Sequence, residues 1–373
     1  MSTPRLEINL KKIQHNASTL VKRLAVRGIA ITGVTKASLG CPEIAGVLLR
    51  SGVSGLGDSR IENIEAMRNA GVVGSMTLIR SPMLSQVERL VAHTDLSLNT
   101  ELDIISALSS AAQKAKLIHS VVLMVELGDL REGIMPKNLL NTVRKTLGFP
   151  NILFKGIGTN LACRCGVSPD IKNMAELSAL ADSIDSTFGP IVSIVSGGNS
   201  ANIDWALSGA DIGRINNLRL GEALLLGCEP LQRQPIKGLF TNAFSFIAEV
   251  IESKHKPSQP WGRLGQNALG VTSAVANRGD IFQTVLATGQ QDVDSSGLQS
   301  PTGIEILGAS SDHLIVESEF CLPLGTEISF QLNYSALVRA MTSPFVTKTL
   351  IPTEHSILEV KPSPSFAPPL VTH

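Results

Sequence analysis

The chain has 373 residues, 43% of them hydrophobic, and its 32 basic and 32 acidic side chains cancel to zero formal charge. Neutrality argues against a nucleic-acid binder or a binder of anionic membranes, and the length suggests two domains with a substantial core. Five scattered cysteines, Cys41, Cys163, Cys165, Cys228 and Cys321, are too few and too irregular for a disulfide framework and fit a reducing cytoplasm.

Residues 1–5 carry no apolar core of a signal peptide. No uninterrupted apolar stretch is long enough to cross a bilayer, so the expectation is a soluble, cytoplasmic protein. Residues 5–21 read as a strand and a helix standing outside the repeats that follow. From residue 29 to about 227, short apolar runs alternate with longer helical patterns. The predicted strands are 29–36, 53–58, 76–80, 96–99, 120–126, 153–160, 192–196 and 215–219. Amphipathic segments at 42–50, 60–70, 100–113, 139–147 and 174–188 lie between them. Buried, β-branched strands alternating with helices indicate a parallel sheet. Eight such repeats fit an α/β fold of the closed (β/α)8 barrel type better than an open sheet.

After Cys228-Glu229-Pro230 the texture changes. Proline and glycine punctuate short β-rich runs at 246–251, 284–287, 304–307, 314–317 and 327–332, and helical periodicity is weak. The predicted organisation is a barrel over 1–228 and an all-β domain over 229–373. From about residue 361 the tail carries Pro362, Pro364, Pro368 and Pro369 and reads as extended.

Barrel enzymes keep their chemistry at the carboxyl ends of the strands. Those ends here are Lys36, Asp58, Arg80, Asn99, Glu126, Asn160, the 196–200 loop and Arg219. Lys36 closes the first repeat, where a lysine can hold a carbonyl cofactor as a Schiff base. A lysine at a strand end can also simply snorkel to solvent. The run Ser196-Gly197-Gly198-Asn199-Ser200 leads into a helix, a pattern that either binds an anion or caps a turn. Gly221, in Arg219-Leu220-Gly221-Glu222, is placed to add a backbone N–H to the same anion. Arg131, in a glycine-bracketed turn at 128–133, is a candidate for a carboxylate or a solvated loop arginine. Cys163-Arg164-Cys165 is too tight for zinc-ribbon spacing, and no metal site is expected.

Together these segments resemble the alanine-racemase-like family of pyridoxal-phosphate enzymes, most closely its ornithine-racemase-like branch of predicted amino-acid racemases. The pieces that carry the resemblance are Val34-Thr35-Lys36, Gly57-Asp58-Ser59-Arg60, Gly128-Asp129-Leu130-Arg131-Glu132-Gly133 and Gly158-Thr159-Asn160-Leu161. The loops at 196–200 and 217–222, Gly308-Ala309-Ser310-Ser311-Asp312-His313 and Met341-Thr342-Ser343-Pro344 complete the set. The resemblance implies a fold-type-III barrel with a β-domain, pyridoxal 5′-phosphate as cofactor, an amino acid as substrate, and a head-to-tail homodimer with shared active sites. It implies Lys36 as the cofactor lysine and Arg219 facing the pyridine nitrogen. Gly198, Asn199, Ser200 and Gly221 would lie at the phosphate, and Asn160 would stand at the ring. Arg131 and Asp312 would lie near the substrate. The branch implies a basic amino acid, ornithine before lysine or arginine, and Asp58, Glu62 and Glu222, above all Asp58 and Glu222, are acidic residues that could pair with its distal ammonium.

One departure concerns the second proton-transfer group. The family uses a tyrosine from the partner's β-domain, and the matching stretch here is Gly289-Gln290-Gln291-Asp292, with an amide in that place. Cys163, His313, Asp292 and Tyr334 are the candidates to replace it. The family's C-terminal phosphate tyrosine is matched to Phe345. Two other readings carry the same barrel motifs. A zinc-dependent dehydratase or aldolase would need a late His-x-Cys pair where Tyr334-Ser335-Ala336 stands, and a non-catalytic cofactor carrier would not need the β-domain.

Overall fold

The computed structural model describes residues 3–266, 270 and 276–352. Strand β1 (Arg5–Asn9) runs into helix α1 (Leu10–Ala25). The Asn9 side chain accepts from Lys12 N at 3.1 Å, which starts the helix. Leu10, Ile13, Ala17, Leu20 and Leu24 repeat at helical spacing and are buried.

Eight strands then alternate with helices. They are β2 (Ala30–Val34), β3 (Gly55–Asp58), β4 (Met76–Leu78), β5 (Leu96–Asn99), β6 (His119–Met124), β7 (Ile152–Gly158), β8 (Ile194–Ser196) and β9 (Asn217–Leu220). The intervening helices are α2 (Pro42–Arg50), α3 (Ile61–Asn69), α4 (Val87–His93), α5 (Leu102–Ala115), α6 (Pro136–Leu147), α7 (Ile171–Phe188) and α8 (Ile203–Leu207), and α9 (Glu222–Leu226) follows β9. The strands pair in parallel in sequence order, and β9 returns to β2 to close a barrel. Its interior holds a separate apolar cluster of Leu98, Val122 and Met124. On the opposite face of these strands His119 is buried, its Nε2 2.8 Å from Ser97 Oγ.

The second domain holds β10 (Phe244–Pro257), β11 (Asp280–Leu286), β12 (Leu298–Gln299), β13 (Ile304–Ala309), β14 (Leu314–Ser318), β15 (Glu327–Leu332) and β16 (Thr347–Ile351). Their order in the sheet is β12-β15-β10-β11-β14-β13. The first strand belongs here and not with the barrel. It pairs antiparallel with β10 and parallel with β16, so the polypeptide begins in one domain and crosses into the other through α1. Arg5 ties that strand down by a fork of two bonds to Glu327, at 2.6 and 2.7 Å.

Two further differences from the sequence reading bear on the site. The strand expected over 29–36 stops at Val34, and Lys36 opens a single 3-10 turn, Lys36–Ser38. Thr35 causes the stop. Its N–H donates to Gly57 O across to β3, and its O accepts from Ser38 N. The half expected to be all β contains helix α10 (Tyr334–Thr342), which packs on the Lys36 turn. The proline-rich tail from 361 lies outside the described residues.

Candidate active site

The carboxyl ends of the barrel strands open into a cavity of about 670 Å³. Lys36, Asn160, Cys163, Ser200, Arg219 and Tyr334 line it, drawn from the ends of four barrel strands and from α10. The turn after β2 lifts Lys36 off the strand, and its ammonium has neither a hydrogen bond nor an ion pair among the described residues. Its charge acts on the Glu222 carboxyl and favours the ionised form of that group.

Arg219 is the best-fixed cation of the site. It is buried, donates to Ser196 Oγ at 2.5 Å and Thr159 O at 2.7 Å, and reaches Asn160 Oδ1 at 3.4 Å. Burial, with the charge of Arg131 as a second cause, pushes its pKa down to about 10. It is still protonated at neutral pH. Asn160 Oδ1 also accepts from Asn199 Nδ2 at 3.1 Å. The amide is therefore oriented from its oxygen side, and its Nδ2 is buried with no partner among the described residues. A buried donor left unmet costs about 1–3 kcal/mol, which marks a place where a bound acceptor belongs.

The loops after β8 and β9 meet at Ser200 Oγ, which accepts from Ala223 N at 3.2 Å. Gly198 has φ +143°, and a Cβ there would come within 2.2 Å of Asn202 Oδ1. That oxygen already accepts from Asn199 N at 3.1 Å. The glycine is thus required for the loop to turn back on itself. Gly221 sits tight behind the β2 end, where a Cβ would meet Val34 Cβ at 3.2 Å.

The candidates for the second proton-transfer group separate clearly. Cys163 lines the cavity, its Sγ 3.5 Å from Asn199 Nδ2. Tyr334 enters the cavity from α10 of the same chain, and burial raises its phenol well above the ordinary range, with Glu222, Cys163 and Asp58 adding to the shift. Asp292 is buried within its own domain, accepting from Gly289 N at 3.2 Å and Ser343 Oγ at 3.1 Å. Its place is in a turn, away from this cavity. His313 and Asp312 pair with each other at 2.8 Å on an exposed edge of the second domain and do not line the cavity of their own chain. Gln290 hydrogen-bonds Ser295 Oγ at 2.7 Å and is likewise absent from the lining.

The substrate-reading candidates also part ways. Asp58 does not line the cavity. It is fully buried and accepts from Thr35 Oγ1, Arg60 N and Asn63 Nδ2 at 2.8–3.0 Å, so it organises the turn that carries Lys36. Glu222 does line the cavity, paired with Arg233, and burial raises its pKa. Arg131 lines it too, paired with Glu132. Phe345, matched to a phosphate-binding tyrosine, is 70% exposed and outside the cavity. Tyr334 is the C-terminal aromatic that reaches it. The sequence assigns no role to Glu132, beside Arg131 in the glycine-bracketed turn, or to Arg233, whose loop carries no strand-end signal. Among the described residues no group of three or more His, Cys, Asp or Glu side chains is arranged to hold a metal.

Residues 8–229 match the family model for the alanine racemase N-terminal domain. The chain is 38% identical to lysine racemase of Thermotoga maritima over 356 residues, 94% of this chain and 99% of that protein. It is 37% identical over 354 residues to ornithine racemase of Acetoanaerobium sticklandii, covering 93% and 99%. Among solved structures, alanine racemase from a D-cycloserine-producing Streptomyces lavendulae shares the fold, with a TM-score of 0.74 at 16% identity and coverage of 95% and 98%.

Proposed function

The chain belongs to the alanine racemase family, and from that premise we propose that it uses pyridoxal phosphate to interconvert the L and D forms of a basic amino acid. The observation that carries this reading is the convergence of Lys36, Arg219, Asn160 and the Ser200 and Gly221 loops around one cavity. The residues fit the cofactor. Asn160 turns its oxygen to the buried Arg219 and leaves Nδ2 an orphaned donor, and Gly198 leaves a turn that no side chain can occupy.

Lys36 would hold the cofactor, with Gly198, Asn199, Ser200 and Gly221 around its phosphate and Arg219 and Asn160 at its ring. When bound, the cofactor supplies the electron sink that acidifies the substrate's Cα–H. Arg219, still protonated at neutral pH, would offer a hydrogen bond and keep its proton. Racemisation needs a proton-transfer group on each face of Cα. Lys36 serves one face. Cys163 is the in-chain candidate for the other. Tyr334 suits a different task, because a phenol whose pKa is raised stays protonated and donates. We assign it to the phosphate in place of Phe345.

Glu222 is the residue we assign to the substrate's distal ammonium, and Arg131 to its carboxylate. The two relatives with the longest matches act on lysine and ornithine by name. We further propose a cytoplasmic homodimer in which Asp312 and His313 serve the partner's site. Their exposure away from the cavity of their own chain supports this, and five free cysteines fit the compartment. The test is a screen of amino acids for Cα–H exchange in deuterated water. Ornithine or lysine should exchange and lose optical rotation, and a protein that binds cofactor without exchanging any amino acid would overturn the reading.

A further inference from the structure

Beneath the exposed mouth of the cavity lies one carboxylate that the roles above do not use. Asp129 is 0% exposed, although the loops around it are open to solvent. Its Oδ2 accepts from Cys163 N at 3.0 Å and Arg164 N at 2.9 Å. Its Oδ1 accepts from Cys165 N at 3.1 Å and Val167 N at 3.3 Å. Four backbone donors of the loop after β7 thus converge on a side chain of the loop after β6. A second tie runs the other way, from the Arg164 guanidinium to Leu130 O.

Both loops adopt backbone that L residues avoid. Leu130 has φ 52° and Ala162 has φ 59°, each next to a residue of the clamp. Such conformations persist only where the surroundings hold them. Glu126 steadies the first loop by accepting from Gly128 N at 2.6 Å and Leu130 N at 3.0 Å. Asp129 supplies four of the bonds that link that loop to the second, beside the Arg164 tie to Leu130 O. The consequence reaches the cavity, because Arg131 lies two residues after Asp129 and Cys163 supplies one of the four donors, and both line it.

We propose that Asp129 is a positioning residue that clamps the β6 and β7 loops together and thereby sets where Arg131 and Cys163 stand in the site. The inference rests on the reading of this cavity as the racemase site, but the clamp itself does not. The backbone N–H groups hold the Asp129 carboxyl below its ordinary value against the cost of burial. The clamp is therefore present at neutral pH and is lost only as pH falls through that depressed value. An asparagine keeps the shape but turns an NH2 toward two N–H donors, so half the clamp becomes repulsive.

The experiment compares the full-length wild type with Asp129→Asn by three readouts. Amide exchange should show the N–H groups of Cys163, Arg164, Cys165 and Val167 protected in the wild type. It should show them exchanging at least about tenfold faster in the variant. Alkylation of Cys163 by iodoacetamide, followed peptide by peptide, should accelerate about fivefold while the exposed Cys321 in the second domain is unchanged. Turnover of ornithine should fall about tenfold in kcat, with KM raised as Arg131 shifts. Unprotected amides in the wild type would overturn the clamp even if the variant failed to fold. A folded Asp129→Asn protein with unchanged exchange, alkylation and kinetics would overturn it as well. A wild type without racemase activity would sink the functional reading alone, leaving exchange and alkylation to decide the clamp.

Discussion

Glu222 holds Arg233 in an ion pair at the rim of the cavity that Lys36 lines. The Glu222 side chain is only 12% exposed, whereas Arg233 is 59% exposed. Burial raises the carboxyl's pKa, and the two arginine interactions oppose that rise. Such a carboxylate gains from any cation that reaches it, and an arginine this exposed is the partner a substrate ammonium would most readily replace.

Glu222→Gln should therefore narrow the rate gap between ornithine and alanine by one to two decades, the value of about 1–3 kcal/mol for a charge-assisted bond left unmade. Competition of the two substrates for one enzyme measures the gap directly. Asp58→Asn should behave differently. Its carboxylate is enclosed by Thr35, Arg60 and Asn63, so the change should lower stability by about 1–3 kcal/mol and leave the substrate ratio intact. A wild type that turns over alanine as fast as ornithine would remove the case for Glu222.

Cys163 and Tyr334 share the cavity but should fail in different ways. Cys163→Ala should suppress Cα exchange starting from one enantiomer and largely spare the other. Tyr334→Phe should slow neither face selectively and should raise the cofactor concentration needed for half saturation, by about tenfold for one lost hydrogen bond to a charged group. Exchange from each pure enantiomer, followed by proton NMR, reads the first. Titration of apoprotein with cofactor reads the second. Cys163→Ala with full activity in both directions would pass the role to His313 of a partner subunit.

Asp312 and His313 lie on an exposed edge away from their own chain's cavity, so a shared site predicts complementation. Lys36→Ala and Asp312→Ala proteins should each be inactive. After subunit exchange in equal amounts, half of the dimers are mixed and each has one intact site, so about a quarter of wild-type activity should return. No recovery, with exchange shown by a tag on one variant, would contradict shared sites.

His119 offers a test of folding energetics independent of catalysis. Burial pushes its pKa down to about 4, below the ordinary value of about 6.5. Between these values the unfolded chain binds a proton that the folded chain refuses. The stability tied to this group is present above pH 6.5 and is lost as pH falls toward 4, in all about 3 kcal/mol. His119→Gln keeps a nitrogen within reach of Ser97 Oγ and should flatten the fall. Urea unfolding at pH 7 and pH 5 measures both, and equal slopes for the two proteins would count against a buried neutral imidazole.

Much of the barrel is legible in the sequence because its strands are buried on both faces. Leu96–Asn99 and Pro42–Arg50 emerge with the limits expected for them. That Lys36, Asn160, Ser200 and Arg219 line one cavity is legible because strand ends are where such a fold gathers its side chains. What escaped depends on pairing across long sequence distances. Nothing in Arg5–Asn9 shows that its partners lie at 244–247 and 347–351. Helix α10 was legible in principle. Asn333 accepts from Ala336 N at 3.0 Å as a cap, and Ala336, Leu337, Ala340 and Met341 are buried at helical spacing. The strand-like runs on either side of it, 327–332 and 347–351, mask it, and with it the position of Tyr334. Asp129 stands within a motif that carries the resemblance, but its role is not legible there, since its partners are backbone groups of another loop.

The account turns on Lys36, whose ammonium stands at the end of β2 with no hydrogen bond or ion pair among the described residues. The most direct measurement is reduction of the purified, cofactor-loaded protein with borohydride, followed by peptide mass analysis. The account predicts one cofactor per chain, fixed to Lys36, with loss of the visible absorbance and of Cα exchange. Cofactor fixed to another lysine, or none taken up, would contradict it.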